Sequence, residues 1–262
     1  MQKQIFSLML LTVFSCNISS LKEHGRMQGA YNMLSESFKG ISLDTTYTNR
    51  TQFKIYADDY MMYLRINKAT SVSAFGIGTY NFDSGKLKEN IFYSTAGEME
   101  IPGSATDSAN ITSNDKGYEL VMPNIMSDKG LLSVTEEYES VGKPITSPLD
   151  GAWKNTAHYA VKGNDTTRLN DKLYKIFYAG HWAIGLFSID SLQKRNTYIV
   201  YGAFEMQGSN KIKETVIAAT AEALRGQTFE GDIEMKGTDE FKQTISIPNG
   251  VKYVEVYQRL KK

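Results

Sequence analysis

Two histidines, His158 and His181, and two glutamates at matching places, Glu89 and Glu214, are the side chains most able to do chemistry in this chain. A pair of histidines invites a metal, but zinc asks for a third ligand, and no His-x-His or His-x-x-x-His spacing supplies a rigid start. No metal is therefore expected. The bland alternative makes His158 a solvated strand residue and leaves His181 without a chemical role, with Asp59 at the matching place in the first half. Glu89 and Glu214 could act as general acid and base only if both entered one pocket. Each instead belongs to a separate half of the chain and is flanked by lysine, the pattern of a solvated cross-strand ion pair. If either faces an interior, it could hold a polar ligand. Glu255, Tyr253, Tyr257 and Arg259 alternate onto one face of a strand. That face lines a pocket, or it is outer surface with Val254 and Val256 turned inward. A Gly-x-Ser-x-Gly elbow, a Walker loop, a dinucleotide fingerprint and paired cysteines are all missing, so neither an enzyme nor a cofactor is expected.

The elements that carry these residues come in two copies. Gly29-Ala30-Tyr31 returns as Gly151-Ala152-Trp153, and Phe53-Lys54-Ile55-Tyr56 returns as Tyr174-Lys175-Ile176-Phe177. Lys86 to Ile91 returns as Lys211 to Val216, and Met122-Pro123-Asn124 returns as Ile247-Pro248-Asn249. Constant order with a slowly drifting offset is the mark of a tandem duplication. Across 262 residues, each copy has roughly 115 to 125 residues, near the usual domain size and enough for its own core.

Basic and acidic residues balance at 29 each, with no local cluster of Lys and Arg. Nucleic acid is therefore not an expected partner. Cys16, the single cysteine, follows Lys3, an apolar run from Ile5 to Phe14, and Ser15. That is an export signal, too short to span a bilayer as a mature helix. Val13-Phe14-Ser15-Cys16 resembles the lipobox, in which the cysteine is acylated before cleavage. The resemblance implies a lipoprotein signal over residues 1–15, a lipidated tether over 16–26, and export to the bacterial cell envelope, with the outer membrane as the expected anchor site. Several acyl chains hold far more firmly than one. The mature chain then has no thiol, and disulfides drop out.

Beyond the tether nearly every segment reads as strand. Tyr198 to Met206, the turn Gln207-Gly208-Ser209-Asn210 and Lys211 to Ala219 form a hairpin, repeated by Phe75 to Phe82, Asp83-Ser84-Gly85 and Lys86 to Ser94. Gln243 to Ile247 and Val251 to Tyr257 flank Pro248-Asn249-Gly250, a strong hairpin signal. Its counterpart joins Tyr118–Met122 to Leu131–Tyr138 through a longer loop ending at Gly130. Ala218 to Leu224, with Gly226 behind it, is a helix or a strand end and loop. Gly142 to Pro148 carries two prolines and reads as the connection, giving copies over 27–142 and 149–262 around a linker at 143–148.

Short antiparallel strands must close or leave sticky edges. The fold expected is all-β, with two tandem small antiparallel up-and-down barrels; a β-sandwich is the alternative. Gly151-Ala152-Trp153, preceded by Leu149 and paired with Arg259 on the last strand, resembles the lipocalin (calycin) arrangement. There a Trp closes the barrel bottom and an Arg lies across its ring. The similarity extends weakly to both copies and is to bacterial lipocalin-like domains of unknown function in exported lipoproteins. The first copy departs, with Tyr31 for the Trp and Ser140 near the place of Arg259. The resemblance and the aromatic excess imply a small, largely apolar ligand in the second barrel, met by Trp153, Tyr178, Trp182, Tyr201, Phe204, Glu214, Tyr257 and Arg259. The alternative is a non-catalytic structural or interaction module with solid barrel cores and an unnamed protein partner in the envelope.

Overall fold

A computed structural model describes residues 27–67, 72–95, 106–128, 130–190, 192–247 and 249–261. The export signal, Cys16 and the tether lie outside the described residues. The first copy forms β1 (Gly29–Gly40), β2 (Asp44–Tyr47), β3 (Thr51–Ala57), β4 (Tyr60–Asn67), β5 (Val72–Asp83), β6 (Lys86–Ser94), β7 (Thr106–Asn114), β8 (Gly117–Ser127) and β9 (Gly130–Ser140). The second forms β10 (Gly151–Lys162), β11 (Asp165–Arg168), β12 (Asp171–Tyr178), β13 (His181–Ile189), β14 (Arg195–Met206), β15 (Lys211–Ala219), β16 (Thr228–Lys236), β17 (Glu240–Ser246) and β18 (Val251–Arg259).

Every strand pairs antiparallel with its neighbour, and the ends join: β1 pairs β9 from Tyr31↔Ser140 to Gly40↔Leu132, and β10 pairs β18 from Trp153↔Arg259 to Lys162↔Val251. Two closed 8-strand barrels result, and closure leaves no long edge to aggregate. The short strands β2 and β11 cover the far halves of β1 and β10, where β3 and β12 have already peeled away. The duplication reaches the irregularities. β1 bulges between Met33 and Ser35 and β10 between Asn155 and Ala157; β5 slips register after Ile77 and β14 after Tyr201. Such bulges bend the strand and deepen its twist, as closure of a small barrel requires. At the second pair only glycine fits, because a Cβ on Gly78 or Gly202 would collide with the carbonyl oxygen of Asn90 or Thr215.

Two details differ from the sequence expectation. The loop expected between Met122 and Gly130 is largely strand: Asn124 takes a left-handed φ of 59°, making a bulge, and pairing resumes at Ile125↔Leu132. The corresponding Asn249-Gly250 makes the hairpin turn, with Gly250 at φ 81°. Ala218 to Leu224 is strand end and loop with one 3-10 turn at Glu222–Leu224. No helix among the described residues is long and apolar enough to cross a membrane.

The barrels are joined along a continuous apolar seam. The outer faces of β3, β4 and β5 meet those of β12, β13 and β14, burying Phe53, Ile55, Phe75 and Ile77 against Tyr174, Ile176, Ile199 and Tyr201. Phe53 stacks on Tyr201 at 3.8 Å between centroids, and Tyr93 lies 5.1 Å from Tyr174. Each such fully buried side chain contributes roughly 1.5–3 kcal/mol. Strand β12 is therefore buried on both sides, with Leu173, Lys175 and Phe177 inside the barrel and Tyr174 and Ile176 in the seam.

Candidate functional site

The bottom of the second barrel is sealed by Trp153. Strand β10 starts there; the indole is fully buried and donates through Nε1 to the Leu149 carbonyl at 2.7 Å. The Arg259 guanidinium, carried in by β18, lies 4.1 Å over the ring and donates to the carbonyl oxygens of Pro148, Asp150 and Thr238. A cation over an indole adds attraction to packing, while the three carbonyls satisfy the guanidinium. Above this plug the rings meet across the barrel. Trp153 stands edge-on to Phe241 at 4.7 Å, Phe241 stacks on Tyr257 at 4.7 Å, and Phe177 meets Phe204 at 5.0 Å. Trp182, Leu173, Ile212, Val216 and Ile233 complete the same buried cluster.

A charged layer rests on that apolar one. Lys175 Nζ lies 2.7 Å from Glu214 Oε1 and donates to Gln243 Oε1 at 2.7 Å, while Gln243 Nε2 donates to Glu214 Oε2 at 3.0 Å. The three residues are 1%, 2% and 0% exposed, so a charge on either side is tolerable only because the other answers it. In the first barrel Lys54 sits 3.4 Å from Glu89 and 3.6 Å from Glu136, and Tyr56 donates to Glu89. Burial alone would depress the Lys54 ammonium, but the two carboxylates outweigh it and hold its pKa above the ordinary value. Glu136, conversely, is held below the usual carboxylate range: burial pushes it up, but Lys54 and the Tyr138 hydroxyl more than reverse that. Glu89 and Glu214 are thus interior residues, and the solvated ion-pair reading is corrected.

Glu255 and Tyr257 also point inward, which decides between the two readings of that strand face. The Tyr257 hydroxyl donates to Glu255 at 2.7 Å, and burial together with that carboxylate pushes its pKa far up. Higher still, His158 Nδ1 meets Asp171 Oδ2 at 2.8 Å, and its Nε2 lies 3.8 Å from Glu255 Oε1. His158 is buried rather than solvated, again correcting the expectation. Burial lowers its pKa, but Asp171 and Glu255 reverse the effect and raise it. A cleft of about 380 Å³ opens beside this dyad, lined by Asn155, Thr156, His158, Arg168, Leu169 and Asp171.

Other candidates fall elsewhere. Tyr178 and Tyr201 do not line the barrel; Tyr201 lies in the seam against Phe53, and Tyr178 donates to Gln28 Oε1 of the first copy at 2.9 Å. Apolar residues on both faces of β12, β13 and β14 hid this, because a seam and an interior look alike in sequence. His181 begins β13, stacks 5.7 Å from Tyr201, and has its pKa lowered by burial. Its counterpart is Tyr60, not Asp59, since Tyr178↔His181 matches Ala57↔Tyr60. No group of three or more His, Cys, Asp or Glu among the described residues could hold a metal. Sequence reasoning missed Lys175, Gln243 and Asp171. Recurrence of Lys54 as Lys175 signalled the first; nothing signalled the other two.

The sequence matches no protein-family model and no curated protein. Among solved structures, it is similar to an uncharacterized protein from Bacteroides eggerthii, at 14% identity over 43% of this chain and 99% of that one, with a TM-score of 0.27. It is also similar to a protein of unknown function from the DUF3598 family of Nostoc punctiforme, at 10% identity over 89% and 96% of the two chains, TM-score 0.25. A third is a double mutant of transferrin-binding protein B, a vaccine antigen from Haemophilus parasuis, at 11% identity over 91% of this chain and 60% of that one, TM-score 0.26.

Proposed function

We propose that this chain is a non-catalytic two-barrel module of the bacterial envelope, tied to its membrane by an acylated Cys16, with solid barrel cores and a rim that docks a protein. The observation that carries this reading is the ring-to-ring packing of Trp153, Phe241, Tyr257, Phe177 and Phe204 beneath the Lys175–Glu214–Gln243 layer. A ligand of the lipocalin kind would have to displace those rings and strip a buried ion pair. The rim of the first barrel adds support. Met126 is 76% exposed and Leu131 53%, and pairing sets them opposite each other, with Ile125 beside them. Ile41, wholly exposed, follows Gly40, which pairs with Leu132. Clustered exposed apolar side chains mark interaction sites.

Titration of the purified chain with 1-aminoanthracene tests the solid core: no saturable fluorescence gain is expected, whereas stoichiometric uptake competed by fatty acid would restore the reading of a small apolar ligand among Trp153, Trp182, Phe204 and Tyr257. Fractionation of a Cys16→Ser variant tests the anchor, with loss from the membrane fraction expected and unchanged membrane retention counting against it.

A further inference from the structure

The two barrels carry different charge at corresponding places. In the first, Arg50 and Arg65 both pair with Glu36, and Lys54 lies between Glu89 and Glu136, so three carboxylates meet three permanent cations. In the second, register puts His158 at the place of Glu36, Asp171 at that of Arg50, and Leu186 at that of Arg65. Among the described residues, the interior carboxylates there are Asp171, Glu214 and Glu255, answered by Lys175 and His158. Three carboxylates thus face one permanent cation and one imidazole, where the first barrel sets three against three. Buried charge without a counter-charge is costly.

The local geometry says where a counter-charge would go. In the first barrel the Arg50 guanidinium pairs with Glu36 and lies 4.0 Å from the Tyr47 ring and 5.2 Å from that of Phe38. The second barrel has Leu169 and Ala160 at those two places, and the open cleft lies beside Leu169. Two buried polar atoms of cleft-lining residues, Asp171 Oδ1 and His158 Nε2, lack a hydrogen-bond partner, although both side chains are only 7% exposed. An unpartnered carboxylate oxygen at the place where the sister barrel holds a guanidinium asks for a donor bearing positive charge.

We propose that the cleft between the middle of β10 and the β11–β12 connection binds a small aliphatic amine or guanidinium compound, its cation seated on Asp171 with His158 beside it and Glu255 behind His158. The site is independent of what the first barrel's rim docks and of whether Cys16 is acylated. Arg168, exposed at the cleft edge, is the permanent cation among the lining residues. It limits affinity and favours ligands whose second end is neutral or extends to solvent.

Isothermal titration calorimetry of the full chain after its export signal, with agmatine and putrescine as probes and 1,4-butanediol as the uncharged control, is the test. Saturable 1:1 binding of agmatine or putrescine is expected, with none by the diol. Asp171→Asn should weaken it at least tenfold. Arg168→Glu, on an exposed side chain that leaves the fold intact, should strengthen it severalfold, and this variant decides the matter if Asp171→Asn fails to fold. No saturable binding of either amine at millimolar concentration would overturn the proposal. So would equal binding of the diol, or an Arg168→Glu variant that binds no more tightly than the parent.

Discussion

Lys175 and Glu214 show how a buried charge is kept: each is almost wholly removed from water and each answers the other. Removing one partner strands the second, so Lys175→Met should destabilise the chain by about 3–5 kcal/mol, while Lys175→Met with Glu214→Leu should recover most of that loss. Urea unfolding of the three proteins measures both; a double variant as unstable as the single one would show that the pair does more than neutralise itself. The histidines offer a second check. His158 titrates above its ordinary value because of Asp171 and Glu255, and His181 below because burial dominates. The His158 contribution to stability is therefore full below the unfolded value of about 6.5 and fades as pH rises through the higher folded value. Following both imidazole resonances by NMR should place the two midpoints on opposite sides of that value; coincident midpoints would contradict the contacts. Repetition singled out Glu89 and Glu214 in the sequence, but not the side of the wall they occupy. Which face of a strand points inward depends on closure, and a flanking lysine reads the same either way.

Strand by strand, closure depends on a few positions. Arg259 links the last strand β18 to the first strand β10, over the Trp153 ring and onto three carbonyls. Arg259→Ala should cost about 1–3 kcal/mol from lost stacking and stranded acceptors. Thermal unfolding checks it, and a change under a few tenths of a kcal/mol would mean that the indole seals the end unaided. This closure was expected from the resemblance of Gly151-Ala152-Trp153 and Arg259 to the lipocalin arrangement, and Arg259 does lie over the Trp153 ring. Hairpins were legible too wherever Asp-Ser-Gly or Asn-Gly supplied the turn. Pro123-Asn124 was misread, since the same residues that turn a hairpin also make a bulge, and only pairing beyond Ile125 distinguishes them.

The whole molecule is two copies that bury corresponding surfaces against each other, β3 on β12 and β5 on β14. Such matching is the geometry of a two-fold dimer drawn into one chain. Residues 149–262 alone would expose Tyr174, Ile176, Ile199 and Tyr201, and should self-associate in light scattering; a monodisperse monomer would contradict the seam. Duplication and barrel count could be read from the sequence, but the seam could not, because its tyrosines carry the same signature as pocket-lining rings. The proposal of a solid second barrel, rather than a carrier of apolar cargo, rests on the packing of its own aromatic side chains. Native mass spectrometry of the whole chain, purified from its host without denaturation, addresses that packing directly. The bare polypeptide mass, with any N-terminal acyl groups, is the expected result. A stoichiometric apolar adduct that is retained in the native state, released on unfolding and lost in Phe204→Trp would contradict it.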